Sequence, residues 1–498
     1  MSLHRRLLAA SLTLALSACA DMGHIAPQSA MLDPNSLQAG KAIDDVSAAA
    51  IAWPRALWWQ DLQDPQLNQL MQQALADSPT LRGAQARVRQ AEALAGAAEE
   101  KTRPQGQADV SINRELYSGN GTTPAPLAGN YAWRNQATVS ASYDLDLWGH
   151  NRAALAAALG DVQLASAESQ MARLTLETAL VRTYIQLSYQ FTLQDVIERS
   201  LAQRAHILDI TQRRRQAGIG TDVDVAQIET TLPAGRRQLE QSTESLALLR
   251  NQLAALSGKG PAAGAALSRP VLRLDRPLAI PKALPADLIG RRPDITAQRW
   301  RVEAAARRID AAKAEFYPNV NLVAFAGLQS FGFDKFLDIN SQIRGVTPAL
   351  SLPIFAGARL RAQLGNQTAI YDGAVEQYNA TVIQAMSDVA NAVTSAQSLQ
   401  KQNELTRQAL ATAQRTRDLA EKAYKAGMSD AINMLNAQVA LLAEDQQQAQ
   451  NGARELDLYV SLMNALGGGI ETQVADGQQA DQYTAQQDTI NALSTVKE

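Results

Sequence analysis

The chain has 498 residues, with 46 Lys and Arg against 49 Asp and Glu, for a formal net charge of −3. That near-balance excludes a nucleic-acid binder that works by neutralising phosphates, and 46% hydrophobic with 19% charged residues excludes a disordered tail. One Cys allows no intrachain disulfide, and four scattered His (His4, His24, His150, His206) make no zinc spacing, so composition points away from a thiol or metal enzyme.

The N-terminus reads as an address. Arg5 and Arg6 form a positive region, and Leu7 to Ala18 form an apolar stretch too short to span a bilayer stably. Leu16-Ser17-Ala18-Cys19 follows, and resembles the lipobox of bacterial lipoprotein signal peptides. The resemblance implies removal of residues 1–18, a diacylglyceryl group on the Cys19 thiol, and acylation of the new amine, for instance by palmitate. Acyl chains anchor firmly because each buried CH₂ contributes about 0.8 kcal/mol. Ala20 after the Cys implies, by lipoprotein sorting rules, the outer membrane. A plain secretory signal with an incidental Cys is the alternative. No later run of 18 or more apolar residues exists, so a membrane crossing by the rest of the chain has to be made by strands.

Past this segment the chain repeats itself. Pro79 recurs as Pro293 and Pro104 as Pro318, each 214 residues on; Gly149 recurs as Gly357 and Gly218 as Gly427, 208 and 209 residues on. Order and spacing persist together, and a longer loop around Ser118-Gly119-Asn120-Gly121 in the first half accounts for the shift. Each half reads helix, strand, strand, very long helix, turn, long helix.

In the first half a helix is predicted from about Pro79 to Thr102, and strands near Gln107–Leu116 and Asn135–Leu147. Ala137, Val139, Ala141, Tyr143, Leu145 and Leu147 alternate with Thr138, Ser140, Ser142, Asp144 and Asp146, the period-two pattern of a strand with one apolar face. Ala108, Val110 and Ile112 alternate in the same way. A helix then runs from about Gly149 to Ala217, about 100 Å at 1.5 Å per residue. Leu176, Leu180, Tyr184, Leu187 and Phe191 follow coiled-coil spacing along it. Globular helices average about 11–12 residues, which disfavours an ordinary bundle. In the second half the strand from Asn319 to Leu328 alternates less cleanly, and Val346, Leu350, Leu352 and Ile354 share a face. Val375, Tyr378, Val382, Met386, Val389 and Val393 form the second seam. Trp148, Phe316, Tyr317 and Phe355 fall where strands meet helices, suited to an interfacial aromatic girdle.

Four strands cannot close a barrel, and an open sheet edge cannot sit in lipid because its backbone groups would lack partners. If these strands cross a membrane, several chains have to share one barrel. A small soluble sheet with one buried face is the alternative that the alternation leaves open.

Taken together, the chain resembles the TolC-type outer-membrane efflux channels, within them the lipidated NodT-type branch, from about Trp58 to Gly468. The most specific marker is Leu288-Ile289-Gly290-Arg291-Arg292-Pro293-Asp294-Ile295. The resemblance implies an α+β membrane protein: a homotrimer whose four strands per chain form a twelve-stranded β-barrel, continued by a long α-helical coiled-coil tunnel through the periplasm. It divides the sequence into a signal peptide (1–18), a lipid anchor with an extended and equatorial segment (19–78), a first repeat (79–257), an equatorial linker (258–287), a second repeat (288–467) and a polar tail (468–498). It implies a passive exit duct for small toxic compounds, docked on a periplasmic adaptor joined to an inner-membrane pump. No enzyme activity is implied, and no cofactor beyond the lipid on Cys19. A pore-less coiled-coil scaffold lipoprotein and a channel for polypeptide secretion are the competing readings.

A resting closure is then expected at the two helix–turn–helix tips. Gly218 and Gly427 stand where a helix end needs φ > 0, and Thr221 or Asp222 and Ser429 or Asp430 can cap the next helix. By resemblance Asp224, Tyr424, Asn433 and Asn436 match gate-network and aperture positions. Family channels often carry Asp where Asn433 and Asn436 stand. An acidic contribution at the tip therefore has to come from Asp222, Asp224 or Asp430. Arg213-Arg214-Arg215 reads chiefly as a solvated helix end favourable to the dipole, with an adaptor contact or a counter-charge to Asp222 and Asp224 as the alternative.

Overall fold

The computed structural model describes residues 21–33, 55–273 and 291–469. Cys19, the signal segment, Leu288-Ile289-Gly290 and the tail from 470 onward lie outside the described residues, as does the linker from 274 to 287. The elements in order are a 3-10 turn (Trp58–Leu62), α1 (Pro65–Asp77), α2 (Pro79–Glu100), β1 (Gln105–Leu116), β2 (Tyr131–Asp144), α3 (His150–Gln216), α4 (Asp222–Leu256), α5 (Pro261–Ala265), α6 (Pro293–Ala314), β3 (Asn319–Phe331), β4 (Gln342–Ser351), α7 (Gly357–Lys425) and α8 (Ala431–Ala465). The duplication shows in their lengths: 22 residues in both α2 and α6, 67 and 69 in α3 and α7, and 35 in both α4 and α8.

The chain forms two compact units, and each draws on both halves of the sequence. One gathers Ala86–Ser166 and Ala297–Ala380 with the described residues up to Met31; the other gathers the rest. The first unit holds an antiparallel sheet of order β1-β2-β3-β4. Its central pairing joins the repeats, with Val139 opposite Ala326 and Tyr143 opposite Leu322. Successive side chains point to opposite faces. The register therefore puts Ala108, Val110 and Ile112 of β1, Ala137, Val139 and Ala141 of β2, Ala324 and Ala326 of β3, and Val346 of β4 on one face. The other face carries Asp109, Ser111, Thr138, Ser140, Gly327 and Thr347. Apolar residues are the exposed ones here: Val110, Val139 and Val346 are 73, 65 and 68% exposed. Beside the sheet, Ile309, Ala312, Phe316, Leu360 and Leu364 form a small core joined by Met22 and Ile25. Gly160, the one glycine inside α3, meets α6 there; a Cβ on it would lie 3.1 Å from that of Ala304.

The second unit buries its hydrophobic residues in the ordinary way. Trp58, Leu62, Leu67 and Met71 pack on Leu180, Tyr184 and Leu187 of α3, Leu246 and Leu253 of α4, and Tyr459 and Val460 of α8. Asp64 starts α1 by accepting from the N–H groups of Gln66 and Leu67. Its other oxygen accepts from the Tyr184 hydroxyl at 3.0 Å and the Val271 N–H at 2.8 Å, so one buried carboxylate ties three segments together. Arg292 holds a second junction. Its guanidinium donates to Asp294 at 2.9 Å, Asp388 at 3.3 Å and the Ala465 carbonyl at 3.2 Å, joining the starts of α6 and the ends of α8 to the side of α7. Burial pulls the Arg292 pKa down, but the two carboxylates outweigh it and the net direction is up. The marker motif of the sequence is thus a clamp.

Three expectations need correction. β2 ends at Asp144, so Leu147 is not part of it. Leu145 keeps one ladder bond to Val320, but Asp146 takes φ 44° and accepts from the N–H groups of Asn151 and Arg152, turning the chain into α3. β4 likewise ends at Ser351, before Leu352 and Ile354. Phe316 is only 1% exposed and sits in the small core, so it cannot face a membrane interface, whereas Phe355 is 96% exposed. Trp148 stacks on Tyr317 at 4.5 Å, its Nε1 donating to the Pro318 carbonyl, which pins the strand–helix junctions of the two halves together.

Candidate functional site

The two tips share one backbone solution. At the first, Gly218 (φ +76°) donates to the Arg215 carbonyl and Ile219 to that of Arg214, both at 2.9 Å. At the second, Gly427 (φ +75°) donates to Tyr424 at 3.0 Å and Met428 to Ala423 at 2.9 Å. This paired-bond helix end needs a left-handed residue, which glycine supplies without a Cβ penalty. Ile219 and Met428 are left exposed beyond it.

The side chains then diverge. α4 opens with a reciprocal capping box: Thr221 accepts from the Asp224 N–H, and Asp224 accepts from the N–H and hydroxyl of Thr221 at 3.0 and 2.7 Å. The Thr221 hydroxyl, then its N–H, hold the Asp224 carboxyl below the usual carboxylate range, with the Arg214 charge helping. Asp222 pairs with Arg215 at 2.6 Å. α8 has a simpler start, Asp430 accepting from the Asn433 N–H at 2.8 Å, while the Asn433 amide reaches the Ser429 hydroxyl at 3.3 Å. Asn433 and Asn436 are exposed, three residues apart on α8.

Tyr424 is the buried centre. It is 2% exposed and packs with Ile207, Ile228, Ala431 and Met434. Its hydroxyl pairs with the Thr211 hydroxyl at 3.2 Å, the Arg214 guanidinium lies 4.7 Å over its ring, and Arg214 donates to its carbonyl at 3.1 Å. The expected network is therefore only partly assembled. Thr211, Arg214, Asp224, Tyr424, Asp430 and Asn433 line one groove, but Asp224 is engaged by Thr221, and the partners of Tyr424 are Thr211 and Arg214.

Thr211, and the contact of Arg214 with Tyr424, are what sequence reasoning missed. The arginine run is not uniformly a solvated helix end: Arg213 turns back to Asp209 at 2.8 Å, Arg215 takes Asp222, and Arg214 alone crosses to the second tip. A helix turn separates Thr211 from Arg214, but nothing in the sequence around them marks either as a partner of Tyr424. Among the described residues, no group of three or more His, Cys, Asp or Glu could hold a metal ion, and no helix is long and apolar enough to cross a membrane.

A family model described as outer membrane efflux protein matches residues 70–259 and 284–468, two blocks that follow the internal duplication. The fusaric acid resistance protein FusA of Burkholderia cepacia is 44% identical over 360 residues, spanning 71% of this chain and 67% of that protein. The multidrug resistance outer membrane protein MdtP of Escherichia coli (strain K12) is 31% identical over 467 residues, spanning 92% of this chain and 95% of that protein. Among solved structures, the outer membrane protein VceC from Vibrio cholerae superposes with a TM-score of 0.80 at 35% identity, covering 84% of this chain and all of that one. The Campylobacter jejuni CmeC outer membrane channel gives a TM-score of 0.83 over 92% of this chain and 98% of that one, at 19% identity, a likeness of fold.

Proposed function

This chain belongs to the outer membrane efflux protein family, and from that premise we propose that it forms a lipid-anchored homotrimeric duct for small toxic compounds, fed by a periplasmic adaptor and an inner-membrane pump. Its place in the outer membrane, its efflux role and its TolC-type α+β fold follow from the family and its solved relatives. The relatives' names, for resistance to fusaric acid and to multiple drugs, support small compounds as cargo.

One observation carries a barrel shared between chains: the sheet exposes valines on one face and has two unpaired edges, β1 and β4. Lipid accepts the first and forbids the second. Three chains placed edge to edge pair β4 of each with β1 of the next and close twelve strands, with the polar face lining water. The adaptor and pump supply docking and energy; the duct's own residues hold a path open or shut.

The anchor reading rests on the N-terminal segment of the sheet unit. Arg361 donates to the Asp21 carbonyl, Gln28 and Ser29 donate to Asp372 at 3.0 Å, and Asn379 donates to the Ala30 carbonyl. The segment from Asp21 to Ala30 thus follows α7 away from its sheet end. Cys19 stands two residues before Asp21 in the sequence, which supports a lipid on its thiol as the anchor of this segment.

At the tips, Tyr424 with Thr211 and Arg214 locks the two hairpins of one chain, while Asp222, Asp224, Ser429 and Asp430 set their turns. Asn433 and Asn436 line the aperture with hydrogen-bonding amides rather than fixed charges. The native mass of the protein extracted gently from outer membranes tests the reading: a trimer is expected, and a stable monomer sinks it. Y424F with R214A is expected to raise conductance and leakage of large antibiotics in that trimer. Unchanged leakage would remove both residues from the gate.

A further inference from the structure

The outward face of the sheet is largely apolar but carries two cations. Arg114 of β1 lies on the same face as Val110 and Ile112, and Arg344 of β4 on that of Val346, opposite Ala326. Both are exposed, and neither forms an ion pair among the described residues. Each stands two positions from the hairpin end of its strand: β1 ends at Leu116 and β4 starts at Gln342. The Arg114 guanidinium lies 5.3 Å over the Tyr131 ring and 5.9 Å over that of Trp133, and Trp133 meets Phe333 at 5.5 Å. These exposed aromatics mark the hairpin end as a membrane–water boundary.

An unpaired arginine on a lipid face costs about 2–4 kcal/mol at midplane and roughly 0–1 kcal/mol near the interface, so both sit where a charge is tolerated. Their chemistry fits one occupant. The strands meet the helices at their other ends, so the hairpin end faces the outer leaflet, whose lipid carries phosphates on its sugar headgroup. A guanidinium presents its N–H groups as a fork that matches phosphate oxygens, and the Tyr131 and Trp133 rings beside Arg114 leave such a fork free to bind. β1 and β4 are the two edge strands. Closing the barrel therefore brings Arg114 of one copy and Arg344 of the next to the same seam, on the same face and at a like distance from its rim. Val139, Ala141, Ala324, Ala326 and Val346 line a shallow groove with Arg344, and its small side chains leave room for an acyl chain.

We propose that Arg114 and Arg344 form a lipid A phosphate site at each seam of the trimer, so that the outer-leaflet lipid staples neighbouring copies together. This rests on the shared-barrel reading above. The test is native mass spectrometry of the delipidated trimer with bisphosphorylated lipid A, its dephosphorylated form, and inorganic phosphate, counting adducts on the trimer peak alone. Up to three bisphosphorylated lipids per trimer are expected. R114A/R344A is expected to weaken binding roughly tenfold or more, the scale of lost charge-assisted hydrogen bonds, with R114K/R344K intermediate. Equal binding of the dephosphorylated lipid to the unmodified trimer, which needs no variant to fold, overturns the proposal. So does undiminished binding to R114A/R344A, or inorganic phosphate binding as tightly as the lipid. Absence of a trimer peak would instead strike the shared barrel itself.

Discussion

In the sheet unit Val110, Val139 and Val346 stand outward, 65–73% exposed, while in the helical unit Leu62, Leu180 and Val181 are fully buried. The residue types are alike and their surroundings are opposite. In the helical unit the apolar seam of α3 finds its partners in α1, α4 and α8 of the same chain. In the sheet the apolar face finds no protein at all, because its partner is a different solvent. The polar groups invert in the same way. The helical unit buries Asp64, Arg292 and Glu177, each with a hydrogen-bond partner, whereas the sheet turns Asp109, Ser111 and Thr138 to the face that lines water.

The contrast is sharpest where a buried charge is unpaired. R292A leaves Asp294 and Asp388 without their shared guanidinium and the Ala465 carbonyl without its donor. A loss of up to about 3–5 kcal/mol is expected, an upper bound because Asp294 and Asp388 keep 27 and 35% side-chain exposure, read as a lower unfolding midpoint. A shift no larger than that of a surface arginine such as Arg407 would show the clamp to be incidental.

On the sheet the same kind of charge is harmful by its presence. V139R puts a guanidinium on the exposed apolar face, with an expected cost of about 2–4 kcal/mol at midplane depth. Folding in detergent with failure to assemble in outer membranes is the expected pattern. Normal assembly would mean that this face does not meet lipid.

Caps come next in size. T221A/D224A removes both directions of the capping box, and D430A removes one bond; each costs about 0.5–2 kcal/mol. Faster amide exchange confined to the affected turn is expected, with the larger effect in T221A/D224A. Equal exchange in both variants would show that the reciprocal box adds nothing over the single cap.

The smallest effect is a pH slope. Burial pushes the Glu177 carboxyl above its ordinary value, with Arg173 at 2.7 Å opposing. The folded chain then holds this proton to higher pH than the unfolded one, so stability falls as pH climbs from the ordinary carboxylate pKa through the raised one. The unfolding midpoint should decline over that interval, and E177Q should flatten it. Parallel slopes would assign the decline to another group.

Much of this was legible in the residues. Glycines recurring as Gly218 and Gly427 placed both turns, because a positive φ is a local demand that glycine meets best. Alternation over Ala137 to Tyr143 placed β2 and its outer face. Strand ends were less legible: Leu145 and Leu147 continue the period-two pattern, yet Asp146 breaks the ladder by capping α3 with its own carboxylate. Phe316 looked like a girdle aromatic from its place in the chain, but whether a junction residue turns in or out depends on the helices beside it. The tip contact was half visible. Tyr424 stood out, while its partners Thr211 and Arg214 lie more than 200 residues away and carry no local signature of the contact.

By itself the sequence determined the duplication, the helices and strands, the turn glycines and the exclusion of a spanning helix, since each follows from local backbone preference or the period of apolar side chains. Tertiary structure alone decided that the two repeats pair through β2 and β3, that Arg292 clamps α6 to α7 and α8, and that Arg214 rather than Asp224 meets Tyr424. Those are choices among distant partners. They are settled by packing and by the need to satisfy every buried polar group at once, which no stretch of sequence states locally.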